Sequence, residues 1–257
     1  MHRFIRTELL VGKASFARLS AAHVTVIGLG AVGGYAVEGL ARAGIGKLTL
    51  VDFDTIQVPN INRQLYALES TIGQPKSAIA RNRVLDINPS CSVNAMQLFA
   101  DALTMAAVME ERPDILIDAI DSLNPKIQVL TASFRHGITT LSSMGAALRT
   151  DPSQIRIADI SRTKNCPLAR RVRKRLRTND IEKGITCVFS TEQVSFEYHP
   201  PEEQDSQIPH ADRGRARRTL GSLPTLTALF GLILANEAIR RLINPEKSID
   251  EPIHEND

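Results

Sequence analysis

Two hydrophobic rhythms alternate through the first half of the chain. A short apolar, β-branched run at His23–Ile27 stops at a cluster of glycines, and residues 31–42 then carry apolar positions at helical spacing. A second strand is expected at 48–51, closing on Asp52. After a polar loop the helical rhythm returns over Lys76–Ile87, with Ile79, Val84 and Ile87 on one side. A weak strand at Ser92–Met96, a helix at 102–110, a buried strand at 114–117 leading to Asp118 and a helix at 126–135 continue the series. Strands alternating with helices predict a parallel sheet covered by helices on both faces.

The second half is less regular. Strands are expected at 138–141, 155–160, 186–189 and 194–198. A helix is expected at 168–177, where Leu168, Val172 and Leu176 recur every four residues and arginines fill the other faces. Residues 199–219, rich in Pro, Glu, Gln, Asp and Arg, read as a mobile loop. A final helix at 223–242 is apolar almost all round, which places it in the core or at a subunit interface. No repeat and no break in composition divides the chain. The expected architecture is α/β, a mostly parallel sheet with a C-terminal α+β extension packed on the same domain.

Composition then excludes several classes. A chain of 257 residues, 43% hydrophobic and 23% charged, can bury a substantial core and is not disordered. Aromatics at 4%, with no Trp, argue against base-stacking platforms. Cys91, Cys166 and Cys187 lie far apart with no CxxC pair, which excludes a zinc cage or disulfide framework and fits a reducing compartment. The N-terminus carries no secretory signal pattern, and the most apolar stretch, 226–235, is too short for a bilayer, which needs about 20 residues. A cytoplasmic protein without a membrane partner is expected. The net charge of +3 is unevenly spread: residues 245–257 hold five acids against Lys247, whereas 162–177 hold eight Lys/Arg and no acid. A basic body with an acidic tail points to a polyanionic partner.

The candidate chemistry begins where the first strand ends. Gly28-Leu29-Gly30-Ala31-Val32-Gly33 is a GxGxxG following a strand and opening a helix, the context in which backbone N–H groups cradle phosphates. The sheet is therefore expected to be Rossmann-like, with Asp52 closing the next strand in position to bind a ribose. By itself the motif fits NAD, FAD or ATP. The segment after Asp52 favours a triphosphate: Asp54, Asn60, Arg63 and Gln64 are followed by Gly73-Gln74-Pro75-Lys76. Cations at fixed positions neutralise charge that builds on phosphates, and hydride chemistry has little use for them. Asp118 and Asp121 follow the third strand of the unit, at the carboxyl edge where such sheets bind ligands, and a carboxylate there can hold Mg²⁺.

The set GxGxxG, DFD, NxNRQ, GQPK and DAID resembles the ATP-binding region of the ubiquitin-activating-like superfamily, which includes the molybdopterin and thiazole adenylyltransferases. Arg63 lies 11 residues after Asp52 and Lys76 lies 13 after Arg63, and the N-terminal Arg3-Phe4-Ile5-Arg6 is similar to that superfamily's RYxRQ element. The resemblance implies that Asp52 binds ribose, that Arg63 and Lys76 bind phosphates, and that Asp121, beside Ser122, holds Mg²⁺. It also implies that Arg6 reaches the ATP of the partner subunit in a homodimer. Residues 1–145 form the expected ATP-binding region, 146–244 a substrate-binding and dimerisation region, and 245–257 an acidic tail.

The second half resembles the tRNA threonylcarbamoyladenosine dehydratase family through Asp121-Ser122, Pro167-Leu168-Ala169 leading into the Arg-rich helix, the run Cys187 to Glu192, and Gly221-Ser222-Leu223-Pro224. That family activates a carboxylate on the tRNA nucleoside with ATP and closes a ring with loss of water. The implied cofactors are ATP and Mg²⁺, with a monovalent cation left open. The implied partner is tRNA, met by Arg170, Arg171, Arg173, Lys174, Arg175 and Arg177, which without the resemblance read first as a solvated face, the usual role of a charge run. Arg213, Arg215, Arg217 and Arg218 extend that surface or keep the loop soluble. The alternative is activation of a sulfur-carrier protein's C-terminus, with a sulfur-relay partner; the missing zinc cysteines disfavour it. A non-catalytic nucleotide scaffold is disfavoured because Arg63, Lys76 and Asp121 are all present. Cys187, on an apolar strand, reads as a small buried hydrophobe, and a thioester nucleophile is the competing reading.

Overall fold

The computed structural model describes residues 2–194 and 220–244. Seven strands form one sheet: β1 (His23–Ile27), β2 (Lys47–Val51), β3 (Ser92–Met96), β4 (Ile115–Asp118), β5 (Thr139–Ser143), β6 (Ile155–Asp159) and β7 (Thr186–Ser190). Their order is β3-β2-β1-β4-β5-β7-β6. All neighbours are parallel except β6, which pairs antiparallel with β7 and forms an edge. The chain reverses its direction of travel between β1 and β4. The crevice at the carboxyl ends of those two strands is where a doubly wound sheet receives a ligand.

Among the described residues eight α-helices accompany the strands: α1 (Ile5–Val11), α2 (Lys13–Ala21), α3 (Gly33–Ala43), α4 (Lys76–Ile87), α5 (Met105–Val108), α6 (Leu123–Arg135), α7 (Pro167–Arg177) and α8 (Pro224–Ile243). Alternate residues on each strand point to opposite faces. Val24, Val26, Leu48, Leu50, Ile115 and Ile117 pack in one core with Leu40 of α3, Val84 of α4 and Phe230 of α8. Ile27, Val51 and Leu116 join Met105 of α5 and Val129 of α6 on the other face. Under α7, Val172 and Leu176 meet Leu130, Cys187 and Phe189. Leu168 packs only at the margin of that cluster, so the apolar stripe of α7 is shifted towards Ala169, Val172 and Leu176.

Several boundaries differ from expectation for identifiable reasons. The helix expected at 102–110 shrinks to α5, because Asp101 accepts hydrogen bonds from the Leu103 and Thr104 N–H groups and holds its first turn as a loop. Two N-terminal helices, α1 and α2, carry no strong apolar stripe in sequence; only Leu19 of the two is buried. Val194 lies in no strand, and the remainder of the strand expected at 194–198 lies outside the described residues, as do the loop at 199–219 with Arg213, Arg215, Arg217 and Arg218, and the acidic tail. The strands after residue 146 join the same sheet.

Candidate active site

The glycine loop is built by close approach. Gly28 has φ +88°, and a Cβ there would lie 2.9 Å from the Ala119 carbonyl oxygen of the β4 exit. A Cβ on Gly33 would stand 1.7 Å from the Gly28 carbonyl oxygen, so only glycine lets α3 start beneath the loop. No side chain caps the first turn of α3. The Gly34 and Ala36 N–H groups bond to the Gly30 and Val32 carbonyls, which leaves the other N–H groups of that turn and the positive end of the dipole to an anion. Gln64 lies over the loop: a Cβ on Gly30 would be 3.7 Å from its Nε2.

Asp52, at the exit of β2, ties this loop to the next. Its carboxylate accepts hydrogen bonds from the Leu29 N–H at 2.7 Å and the Asp54 N–H at 2.8 Å. Burial pushes its carboxyl above the usual carboxylate range, against the pull of the Lys76 ammonium and the Leu29 N–H. Lys76 opens α4 with a buried side chain and donates to Asp54 at 2.9 Å. Asp52, Asp54 and Lys76 therefore form one charged cluster beside the glycine loop. A phosphate entering there would compete with Asp54 for the lysine.

The intervening turn holds the other candidates. Asn60 accepts from the Gln57 N–H at 3.1 Å through its side-chain oxygen. Its backbone carbonyl accepts from the Arg63 and Gln64 N–H groups. Asn60 thus shapes the turn that presents those residues. The half-buried Arg63 folds back to donate to the Pro59 carbonyl at 2.8 Å and the Asn62 side chain at 2.9 Å.

Asp118 and Asp121 have separate environments. Asp118 is fully buried and accepts from Lys126, from Ser142 at 2.6 Å and from the Ile120 N–H at 3.0 Å. It is a core acid that fixes the β4 exit. Asp121 is exposed, beside Ser122, the N-cap residue of α6. The Ser122 hydroxyl is buried without a hydrogen-bond partner among the described residues, an orphaned polar group at the carboxyl edge. That orphan and the exposed carboxylate next to it suit a phosphate-bound cation. Among the described residues no cluster of three or more His, Cys, Asp or Glu could cage a metal by itself.

Arg6 is exposed on α1, which packs on α2 near the C-terminal ends of α3 and α4, where Phe4 meets Gly44 and Arg3 donates to the Ile87 carbonyl, so this chain does not bring it to its own crevice. On α7, Arg170, Arg171, Lys174, Arg175 and Arg177 are exposed. Arg173 differs: it donates to the Ile160 and Thr163 carbonyls and to the Thr163 hydroxyl, clamping the preceding turn to the helix. Cys187 is fully buried on β7, and burial drives its thiol well above the ordinary range, which suits packing and not attack. Cys187→Ala is expected to keep turnover within about twofold while costing about 1–2 kcal/mol in chemical denaturation.

Lys126, Arg149 and Gly231 are structural contributors that sequence reasoning passed over. Lys126 carried a signal, a lysine set into an apolar helix face with Val129 and Leu130 one turn on. Arg149 and Gly231 carried none that pattern alone could separate from loop and helix residues.

The sequence pattern of the ThiF family matches residues 3–257. The chain belongs to the ThiF family. Among relatives, the tRNA threonylcarbamoyladenosine dehydratase of Bacillus subtilis is 43% identical over 192 residues, 75% of this chain and 76% of its own length. A crystal structure of E. coli tRNA N6-threonylcarbamoyladenosine dehydratase in complex with ATP superposes with a TM-score of 0.82 at 32% identity, covering 95% of this chain and 94% of that one. The molybdopterin-synthase adenylyltransferase of Escherichia coli is 35% identical over 133 residues, 52% of each chain. The expected Rossmann-like architecture is thus a ThiF-family fold. No helix among the described residues is long and apolar enough to cross a membrane.

Proposed function

We propose that this ThiF-family protein is an ATP-dependent tRNA threonylcarbamoyladenosine dehydratase. The observation that carries the reading is the extent of the likeness. Similarity to the dehydratase of E. coli runs over 94% of the chain, whereas similarity to the E. coli adenylyltransferase covers 52%. In the reaction, a carboxylate oxygen of the threonylcarbamoyl group attacks the α-phosphate of ATP and expels pyrophosphate. The side chain's own ureido group then attacks the activated carbonyl, closes the ring and releases AMP, so that the nucleoside loses one water in all.

The glycine loop Gly28, Gly30 and Gly33 and the first turn of α3 receive phosphates, Asp52 receives the ribose, and Arg63 and Lys76 neutralise charge as the phosphates separate. Asn60, Asp54 and Gln64 hold these groups in register. Mg²⁺ needs few protein ligands when substrate phosphates supply the rest, and Asp121 with Ser122 would hold it there. Residues 1–145 serve ATP and 146–244 the tRNA. Arg6 acts in the crevice of a second copy in a homodimer.

The test supplies purified protein with Mg²⁺-ATP and tRNA carrying the linear modification, followed by digestion to nucleosides and mass analysis. The expected result is one AMP per nucleoside that has lost one water. Arg63→Ala and Asp121→Ala are each expected to lower the rate about 10²–10³-fold, the usual cost of removing one charge-stabilising group. Pyrophosphate exchange with unchanged tRNA would instead indicate activation of a carrier protein's C-terminus.

A further inference from the structure

A second concavity opens on the same edge of the sheet. It is a cavity of about 420 Å³ at the start of α7, walled by Lys164, Asn165, Cys166, Arg170, Arg173 and Gln193. Its volume falls within the roughly 300–1,000 Å³ of small-ligand sites. Three of those walls are cations and two are carboxamides; among the described residues no lining residue is an acid.

The fold places this cavity beside the nucleotide crevice. A Cβ on Gly145, just past β5, would stand 3.8 Å from the Cys166 Sγ and 3.7 Å from the Leu168 Cβ, so α7 begins at the carboxyl edge. Asn165 donates to the Thr191 carbonyl, just past β7, at 3.0 Å. Strand β7 is two strands from β4, about 10 Å at the ordinary ~4.8 Å spacing.

The wall is also held in place. Asn165 has φ +52°. Its carbonyl accepts from Nη2 of the buried Arg149 at 3.1 Å. Among the described residues the Nε and Nη1 of Arg149 have no hydrogen-bond partner, and its nearby acid, Glu192, bonds to the Thr150 and Asp151 backbone. Arg173 secures the neighbouring turn at Thr163. A rigid, acid-free basin backed by a buried, incompletely compensated guanidinium favours an anionic ligand with hydrogen-bonding edges.

We infer that this cavity binds one nucleotide of the tRNA strand next to the modified adenosine. Lys164 and Arg170 face its phosphate, and Asn165 and Gln193 face its base or ribose. The inference rests on the proposed dehydratase function and names the part of the substrate that the site grips. The exposed arginines further along α7 then supply general attraction to the strand, while the cavity sets its position.

The test uses the full-length protein and an anticodon stem-loop carrying the linear modification, in a set of versions each with one phosphate flanking the modified adenosine replaced by a neutral methylphosphonate. Wild-type binding is expected to fall about tenfold at one position. The exposed pair Lys164→Gln/Arg170→Gln is expected to bind the unmodified-backbone RNA about tenfold more weakly and to ignore the methylphosphonate at that position. Its salt dependence should be shallower than that of wild type. Its thermal shift with Mg²⁺-ATP should match that of wild type, which shows that the variant is folded. Losses that add at every position, or unchanged affinity in the variant, would overturn the inference while dehydration by the wild type left the proposed function standing. Absence of dehydration by the wild type would remove that function itself.

Discussion

Lys126→Met is expected to cost about 3–5 kcal/mol of folding stability, the range for removing one partner of a buried ion pair. The lysine and Asp118 are both fully buried, and Lys126 donates as well to the Ser143 carbonyl at 3.0 Å. With methionine in its place, Asp118 keeps the Ser142 hydroxyl and the Ile120 N–H but loses its counter-charge. Thermal unfolding should shift down by about 10 °C, since each kcal/mol moves a chain of this size by roughly 2–4 °C. The double variant Asp118→Asn/Lys126→Met should recover part of the loss, because no charge then remains buried without a partner. Because Asp118 also orients the β4 exit through Ile120, the single variant should lose dehydration activity below its own unfolding range as well. If the single variant unfolds within about 2 °C of wild type, the pair is not a keystone of the β4 exit.

What could be read from the sequence depended on whether a local pattern decided the matter. The parallel unit was legible because short strands, apolar at β1, β2 and β4, alternate with helices; β1, α4 and β3 lie where the rhythm places them. The crevice was legible for a different reason. Gly28, Gly33, Asp52 and Lys76 are forced residue types: two glycines where a Cβ would strike a carbonyl oxygen, and a carboxylate and an ammonium at strand and helix ends. The separation of Asp118 from Asp121 was less legible, because three residues of spacing do not tell which carboxylate turns inward. Lys126 decides that from eight positions away, across a helix turn and a strand end. The split within the arginines of α7 was equally hidden. Arg173 is tied down by carbonyls of the turn before the helix, and no periodicity marks a residue whose partners are backbone atoms.

The contribution of α8 to the phosphate loop was the least visible, and it carries the other large expected effect. Gly231 sits where α8 crosses the start of α3: a Cβ there would lie 2.2 Å from the Val32 carbonyl oxygen and 3.0 Å from the Ala36 backbone nitrogen. Contacts that short do not occur, so Gly231→Ala must drive α8 and the first turn of α3 apart. The expected cost is about 1–3 kcal/mol, as for other overpacked interiors. The displaced atoms belong to the first turn of α3, the turn proposed to receive the phosphates. Misplacement of about 1 Å can cost on the order of 10²-fold in rate, so the KM for ATP should rise and kcat fall although Gly231 touches no substrate. Thermal unfolding with and without Mg²⁺-ATP separates the two effects, because ligand stabilisation reports affinity for the folded state. Gly39→Ala provides the comparison, since its Cβ would press on the Ala235 Cβ at 2.9 Å farther along the same helix pair. It should lower stability with the ATP-induced shift retained, whereas Gly231→Ala should lose most of that shift. Equal retention in both variants would mean that the glycine loop holds its shape without support from α8.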